Sequence, residues 1–171
     1  MQISVDAIKE LKEQVNAGLM ECKRALAEAD GDMEAAAAAL RERGYAIADR
    51  KEDRVAEQGL IECYVHTGGR VGALVEVNCE TDFVARTPEF RDLAHDLAMQ
   101  VVASAPCYVS RDDCPDAAAV GDEECLLLQP FIKEPSKTVG DVVAEMVGSV
   151  RENIRVRRFV RFELGSDQRD G

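Results

Sequence analysis

The chain has 171 residues, of which 46% are hydrophobic, so it is long enough for one domain with a real core, alone or with a small companion. Its 33 acidic residues outnumber its 21 basic residues and give it a net charge of -12. A protein of this charge repels phosphate backbones, which argues against a nucleic acid as its partner.

The N-terminal part of the sequence predicts three helices. Ser4 can cap the first helix, and the helical pattern resumes at Met20 after the break "NAGL". Asp32 can cap the third helix, "MEAAAAALRER", and Gly44 is expected to end it. We therefore expect a compact helical module over residues 1–48.

A change of hydrophobic period marks a second region. The charged stretch "DRKEDRVAEQ" shows no apolar periodicity across its first half and is interpreted as a linker over residues 49–58. The pattern then alternates with a period of two on both sides of the turn "TGG", which predicts a β-hairpin. Its apolar positions are Ile61, Cys63, Val65, Val71, Ala73, Val75 and Val77.

The rest of the chain predicts a helix on this hairpin, a further helix and further strands. Thr87 and Pro88 suit the start of a helix, "CYVS" suits a short strand, and Thr138 with Asp141 suits a capping box. In the last segment, "NIRVRRFVRFEL", five apolar residues are expected to share one face of a strand that closes the sheet: Ile154, Val156, Val160, Phe162 and Leu164.

These elements predict an α+β fold. After the three-helix module and its linker, residues 59–164 are expected to form an α+β core with a mainly antiparallel sheet and helices on one face. Residues 165–171 are expected to form a polar tail.

The sequence contains none of the motifs that mark common enzymes or nucleotide-binding sites. Glu76, Glu80 and Asp82 could form an acid and base pair, but no partner group completes a site, and we interpret them as solvated loop carboxylates. The six cysteines lack short paired spacings and the two histidines lie far from them, so we expect reduced thiols and neither a metal nor another cofactor. The chain is therefore not expected to be an enzyme.

The N-terminal sequence and the hydropathy of the chain indicate the cellular compartment of the protein. "MQISVDAIKELKEQV" has no continuous apolar run of signal-peptide length, and no stretch is long enough to cross a bilayer. We expect a cytoplasmic protein without a membrane partner.

One stretch, "NCETDFVART" at residues 78–87, needs a separate explanation. It places Phe83 next to Asp82 where a strand ends and a helix begins, at a point that water should reach. Phe83 is either a core side chain under the hairpin or an exposed aromatic anchor for a partner, because aromatic rings bury a large area at low entropic cost.

"CETDFVAR", which follows "GALVEVN", closely resembles the signature of the elongation factor Ts family, the nucleotide-exchange factors of the GTPase elongation factor Tu. The resemblance extends in order along nearly the whole chain. "AGLMECKRALAEADGDMEAAAAALRERG" resembles the ubiquitin-associated-like N-terminal module of that family, and "QPFIKEPSKTVGDVV" and "ENIRVRRFVRFELG" resemble its later segments.

The resemblance implies a function in translation and a set of contact residues. It implies that Thr81, Asp82, Phe83 and Val84 enter elongation factor Tu, with Phe83 in an apolar slot, and dislocate the magnesium ion so that GDP leaves and GTP rebinds. For the N-terminal module, it implies a second contact with elongation factor Tu through four residues: Lys12, Leu19, Met20 and Lys23.

Two further points follow from the resemblance. Longer relatives have a second copy of the core module, so the single copy here implies a homodimer that pairs through its sheets. An alternative from a different class is a ubiquitin-associated-type adaptor that binds proteins without exchange activity.

Overall fold

The computed structural model describes residues 3–15 and 17–166, with the side chain of Asp49 excepted. The chain divides into two compact units, one formed by Met1–Arg54 with Val143–Asn153, the other by Val55–Val142 with Ile154–Gly171. The module boundaries at 48, 58 and 164 stay predictions. Asn16, within the predicted break, and all of the tail except Gly165 and Ser166 lie outside the described residues.

The first unit contains the three predicted helices: α1, Val5–Val15; α2, Leu19–Glu28; and α3, Met33–Lys51. The predicted caps are confirmed, because the Ser4 hydroxyl accepts a hydrogen bond from the Ala7 amide at 3.1 Å and the Asp32 carboxylate accepts one from Ala35 at 3.0 Å. The apolar faces of the helices meet in one core, formed by Ile8, Leu11, Val15, Cys22, Ala25, Leu26, Ala36, Ala37 and Leu40.

The prediction that Gly44 ends the third helix is wrong. α3 continues through Gly44 to Lys51, into the predicted linker. A later helix, α6 (Val139–Val150), contributes its second half to this unit, and a Cβ added at its Gly148 would lie 3.1 Å from Gly44 Cα. Gly44 therefore serves close helix packing rather than the left-handed C-cap that glycine often provides.

The second unit is built on a three-stranded antiparallel sheet, which confirms the predicted α+β class. The elements are β1, Gln58–Val65; β2, Val71–Cys79; a four-residue helix α4, Asp82–Ala85; α5, Pro88–Ser104; and β5, Ile154–Glu163. The strand order is β1-β2-β5, and helix α5 packs against one face of the sheet. Beneath α5 lies the core of this unit, with Val75, Val77, Phe90, Leu97 and Val101 all fully buried.

A β-bulge in β5 overturns the prediction that its apolar residues share one face. Val77 pairs with Val156 and Glu76 pairs with Arg158, so Arg157 is the extra residue. The two sides of the bulge therefore differ in phase, because an inserted residue reverses the alternation of side chains. Ile154 and Val156 are buried on the α5 side, whereas Val160 and Phe162 lie on the opposite, open face.

The segment between α5 and α6 is mostly irregular. The predicted strand "CYVS" is wrong, because only a single bridge joins Tyr108 to Cys125 there, and short 3-10 turns surround it. Gln100 of α5 binds this segment from inside the core, since its amide nitrogen donates to Gln129 Oε1 at 3.1 Å. A two-stranded sheet follows, formed by β3, Pro130–Phe131, and β4, Glu134–Thr138.

The capping box predicted for α6 is confirmed. The Thr138 amide donates to the Asp141 carboxylate at 2.7 Å, and the Asp141 amide donates to the Thr138 hydroxyl at 3.1 Å. Two backbone donors at the start of α6 are thereby satisfied, although Asp replaces the usual Glu or Gln.

Candidate functional site

A short capped helix follows directly on the central strand. β2 ends at Cys79, and α4 begins at Asp82. Thr81 is the N-cap, and its hydroxyl accepts a hydrogen bond from the Val84 amide at 3.4 Å. A helix of four residues has little stability of its own, so this cap and the flanking elements must hold it in place.

The connection is also fixed by contacts on each side of α4. The Cys79 thiol donates to the Thr81 carbonyl at 3.1 Å, before the helix. After it, the Thr87 hydroxyl donates to the Val84 carbonyl at 2.9 Å and accepts from the Phe90 amide at 3.3 Å. Thr87 therefore ends α4 and starts α5 with the same hydroxyl group, which couples the two helices.

The side chains of α4 divide into an inner and an outer set. Val84 and Ala85 are buried against the unit, whereas Phe83 is 80% exposed. The alternative that Phe83 is a core residue is therefore wrong. The structure presents an aromatic ring to solvent from a backbone that is held at both ends.

A charged pair lies beside this ring. Arg86 Nη2 is 2.9 Å from Asp82 Oδ2, one helical turn apart, and both side chains are substantially exposed. Such an exposed pair contributes little to stability, so Asp82 remains available to a partner.

The carboxylate of Glu76 is held in a structural ion pair. Burial raises its pKa, but hydrogen bonds from Arg158 and Asn78 together with the charge of Arg157 outweigh that effect, and the net pKa is lowered. Arg158 Nε lies 2.8 Å from Glu76 Oε2. A carboxyl group that stays ionised in this way is unsuited to donating a proton at neutral pH.

The first unit presents a separate surface on α2. Cys22, Ala25 and Leu26 face its core. In the first turn of the helix, Leu19 is 52% exposed and Met20 is 71% exposed. Lys23 on α2 and Lys12 on α1 are also exposed, so the four residues predicted for this module are all solvent-accessible.

The open face of the three-stranded sheet carries exposed apolar side chains that the sequence analysis does not identify as a set: Ile61, Cys63, Val65, Leu74, Val160 and Phe162. The ion pair of Glu76 and Arg158 lies on the same face, opposite Ile61. The signal was present in β1, where Ile61, Cys63 and Val65 alternate with Glu62 and Tyr64. In the register observed, Glu62 and Tyr64 lie opposite Val75 and Ala73 on the α5 side.

Within its described residues, the structure shows neither a metal-binding cluster nor a membrane-spanning helix. Residues 3–15 and 17–166 contain no cluster of three or more His, Cys, Asp or Glu side chains that could hold a metal ion. No helix within those same ranges has the length and apolarity to cross a membrane.

Comparison with known proteins identifies the family. The family model described as "Elongation factor TS" matches residues 5–122. Elongation factor Ts of Heliobacterium modesticaldum is 47% identical over 194 aligned positions, which cover 95% of this chain and 90% of that protein. The corresponding protein of Carboxydothermus hydrogenoformans is 46% identical, with 95% and 89% covered. That of Thermoanaerobacter pseudethanolicus is 45% identical, with 95% of each chain covered.

These alignments are longer than the 171 residues of this chain, so the relatives contain residues with no counterpart here. The agreement nevertheless extends over both units and includes the segment that carries Phe83. This chain belongs to the elongation factor Ts family.

Proposed function

We propose that the chain binds the GTPase elongation factor Tu in its GDP form and promotes release of GDP, so that GTP can rebind. The observation that carries this proposal is the exposure of Phe83 on α4, in a chain of this family. An exposed phenylalanine on a fixed backbone can fill an apolar slot at low entropic cost, which is the property of an interface anchor.

In this proposal the four residues Thr81 to Val84 have different roles. Phe83 enters the slot on the GTPase, while Thr81 and the buried Val84 hold the helix that presents it. Asp82 lies at the rim, where a charge contributes mostly to encounter and orientation. The displaced part of the GTPase is the one that supports the magnesium ion of bound GDP.

The energetics of exchange require no covalent chemistry. A partner that prefers the nucleotide-free GTPase must weaken nucleotide binding by the same factor as the nucleotide weakens the partner. The chain would therefore act as an exchange factor and not as an enzyme with its own active site. The lowered pKa of Glu76 and the Asp82–Arg86 pair are consistent with carboxylates that serve structure and docking.

The N-terminal module would supply a second contact. Leu19 and Met20 form an exposed apolar pair on α2, and Lys12 and Lys23 add positive charge near it. Apolar anchors with charged neighbours are typical of protein interfaces, so these four residues would bind the nucleotide-binding domain of the GTPase.

The open sheet face would join two copies of the chain. Isolated apolar residues are normal on surfaces, but a contiguous set on one sheet face favours a partner. Pairing two identical sheets by a two-fold axis would cover both faces at once, so we propose a cytoplasmic homodimer.

The experiment that tests the proposal measures release of a fluorescent GDP analogue from purified elongation factor Tu with and without this chain. Faster release in proportion to the amount of chain is the expected result. If the chain binds elongation factor Tu but does not speed the release of GDP, the result would instead support the ubiquitin-associated-type adaptor. Such an adaptor would not need the exposed ring on α4.

A further inference from the structure

The first unit contains a cavity of about 280 Å³ that none of the contacts above explains. It lies between α2, α3 and the second half of α6, all within the unit formed by Met1–Arg54 and Val143–Asn153. Its lining includes five arginines, Arg24, Arg41, Arg43, Arg50 and Arg151, against two carboxylates, Glu21 and Glu145. This local excess of positive charge occurs in a chain whose net charge is -12.

The ion pairs of these arginines leave part of the charge uncompensated. Arg151 pairs with Glu21, and Arg41 Nε lies 3.5 Å from Glu145 Oε1. Arg43 pairs with Glu28, which lies outside the lining and is also 4.0 Å from Arg24. Arg50 forms no ion pair with the carboxylates that the structure describes. Five arginines of the lining therefore share three described carboxylates, Glu21, Glu28 and Glu145, which leaves an excess of two positive charges.

One guanidinium group also has a buried donor without an acceptor. Arg41 Nε and Arg43 Nη1 are both shielded from solvent and form no hydrogen bond within the described part of the chain. Arg41 Nε still faces Glu145 Oε1 at 3.5 Å, so Arg43 Nη1 is the donor that lacks an acceptor. A buried donor that lacks an acceptor is costly, and such groups in native proteins usually indicate a water or an ion that completes them. An anion in the cavity would supply the acceptor that Arg43 Nη1 lacks.

The close approach of α3 and α6 at two glycines shapes this cavity. Gly44 and Gly148 are both in its lining, and the ideal Cβ of Gly148 would lie only 3.1 Å from Gly44 Cα. The two helices can therefore approach closely at this point, and the neighbouring arginines of α3 then reach the same space as Arg151. Val15, Leu40 and Ile47 supply apolar walls beside the arginines.

We propose that this cavity binds a small phosphate-bearing anion of about the size of pyrophosphate. Guanidinium groups match phosphate oxygens in geometry and remain charged at any physiological pH, so several arginines around one space are suited to a multiply charged phosphate. The volume lies just below the range of about 300–1,000 Å³ that holds drug-sized ligands, which favours a small anion over a whole nucleotide.

Isothermal titration calorimetry of the whole chain with pyrophosphate tests the proposal. The variants are Arg43→Gln, which removes a buried donor, and Arg50→Gln, which removes an exposed arginine that no described carboxylate pairs with. The matched control is Arg155→Gln, which makes the same charge change at an exposed position on β5. Circular dichroism of each variant shows whether the fold is retained, and Arg50→Gln carries the test if Arg43→Gln fails to fold.

The expected result is saturable binding of one pyrophosphate per chain, at least tenfold weaker in either cavity variant and changed less than about twofold in the control. Absence of saturable binding would overturn the proposal, as would equal weakening in Arg50→Gln and Arg155→Gln. A parallel titration with adenosine 5′-diphosphate distinguishes a free diphosphate from a nucleotide. Binding of the nucleotide tenfold tighter than pyrophosphate would contradict the small-anion assignment.

Discussion

Phe83 and Phe90 lie seven positions apart, follow similar threonine caps and have opposite environments. The side chain of Phe83 is 80% exposed, whereas that of Phe90 is fully buried in the core between α5 and the sheet. Relative to its cap, Thr81, Phe83 is the second helical residue, and relative to Thr87, Phe90 is the third. One position rotates a helical side chain by about 100 degrees, which is enough to move it from solvent to core.

The third helical position is buried in both helices. In α4 it is occupied by Val84, and in α5 by Phe90. In these two helices, the position of a residue relative to its cap, and not its type, decides whether it builds the core or is available to a partner.

The largest effect is expected at the buried ring. Phe90→Ala removes a fully buried aromatic side chain and should lower the free energy of unfolding by about 3–5 kcal/mol. Urea denaturation followed by circular dichroism measures it. A loss below about 1 kcal/mol would mean that Phe90 has little part in the core and that the contrast with Phe83 does not hold.

Removal of the N-cap of α4, Thr81, should have an intermediate effect on stability. Thr81→Ala removes the hydroxyl that accepts from the Val84 amide and should cost about 1 kcal/mol of stability. Thr81→Ser is the matched control, because it keeps the hydroxyl group and should retain most of the stability. Equal losses in the two variants would show that the cap does not hold α4.

The exposed ring should contribute little to folding. Phe83→Ala removes a side chain with few internal contacts, so the free energy of unfolding should change by less than about 1 kcal/mol. The same denaturation measurement applies, with Phe90→Ala as the reference. A destabilisation as large as that of Phe90→Ala would place Phe83 in the core after all.

The smallest effect is a pH dependence at Glu76, on the strand that leads to α4. Its pKa in the folded chain lies below the ordinary value of 4.5, because the hydrogen bonds and charges of its partners outweigh burial. The ion pair therefore stabilises the fold fully above pH 4.5 and loses that effect as the pH falls through the lower folded pKa. Melting temperatures between pH 6 and pH 3 should fall more steeply for the parent than for Glu76→Gln, and parallel curves would contradict this.

Local signals in the sequence predicted much of the architecture. The caps at Ser4, Asp32 and Thr87 and the box at Thr138 each depend on residues within one turn, and all are confirmed. The sequence leaves the exposure of Phe83 open, because periodicity cannot assign a face to a helix of four residues.

Features that depend on distant parts of the chain were predicted less well. Gly44 was interpreted from its neighbours as a helix end, but its role is set by Gly148, more than a hundred residues later. The bulge at Arg157 reverses the faces of β5, and nothing in the spacing of its apolar residues marks it. The apolar set on the open sheet face depends on that bulge in part, because the bulge places Val160 opposite Leu74.

If Phe83 acts on elongation factor Tu and not on the fold, its loss should slow the stopped-flow release of fluorescent GDP from that GTPase. At subsaturating factor, Phe83→Ala should slow stimulated release by on the order of thirtyfold, corresponding to roughly 2 kcal/mol for a lost aromatic anchor. Val55→Ala, which truncates another highly exposed apolar side chain of the same unit, should release GDP at the parental rate. A folded Phe83→Ala protein that stimulates release as well as the parent would contradict the account.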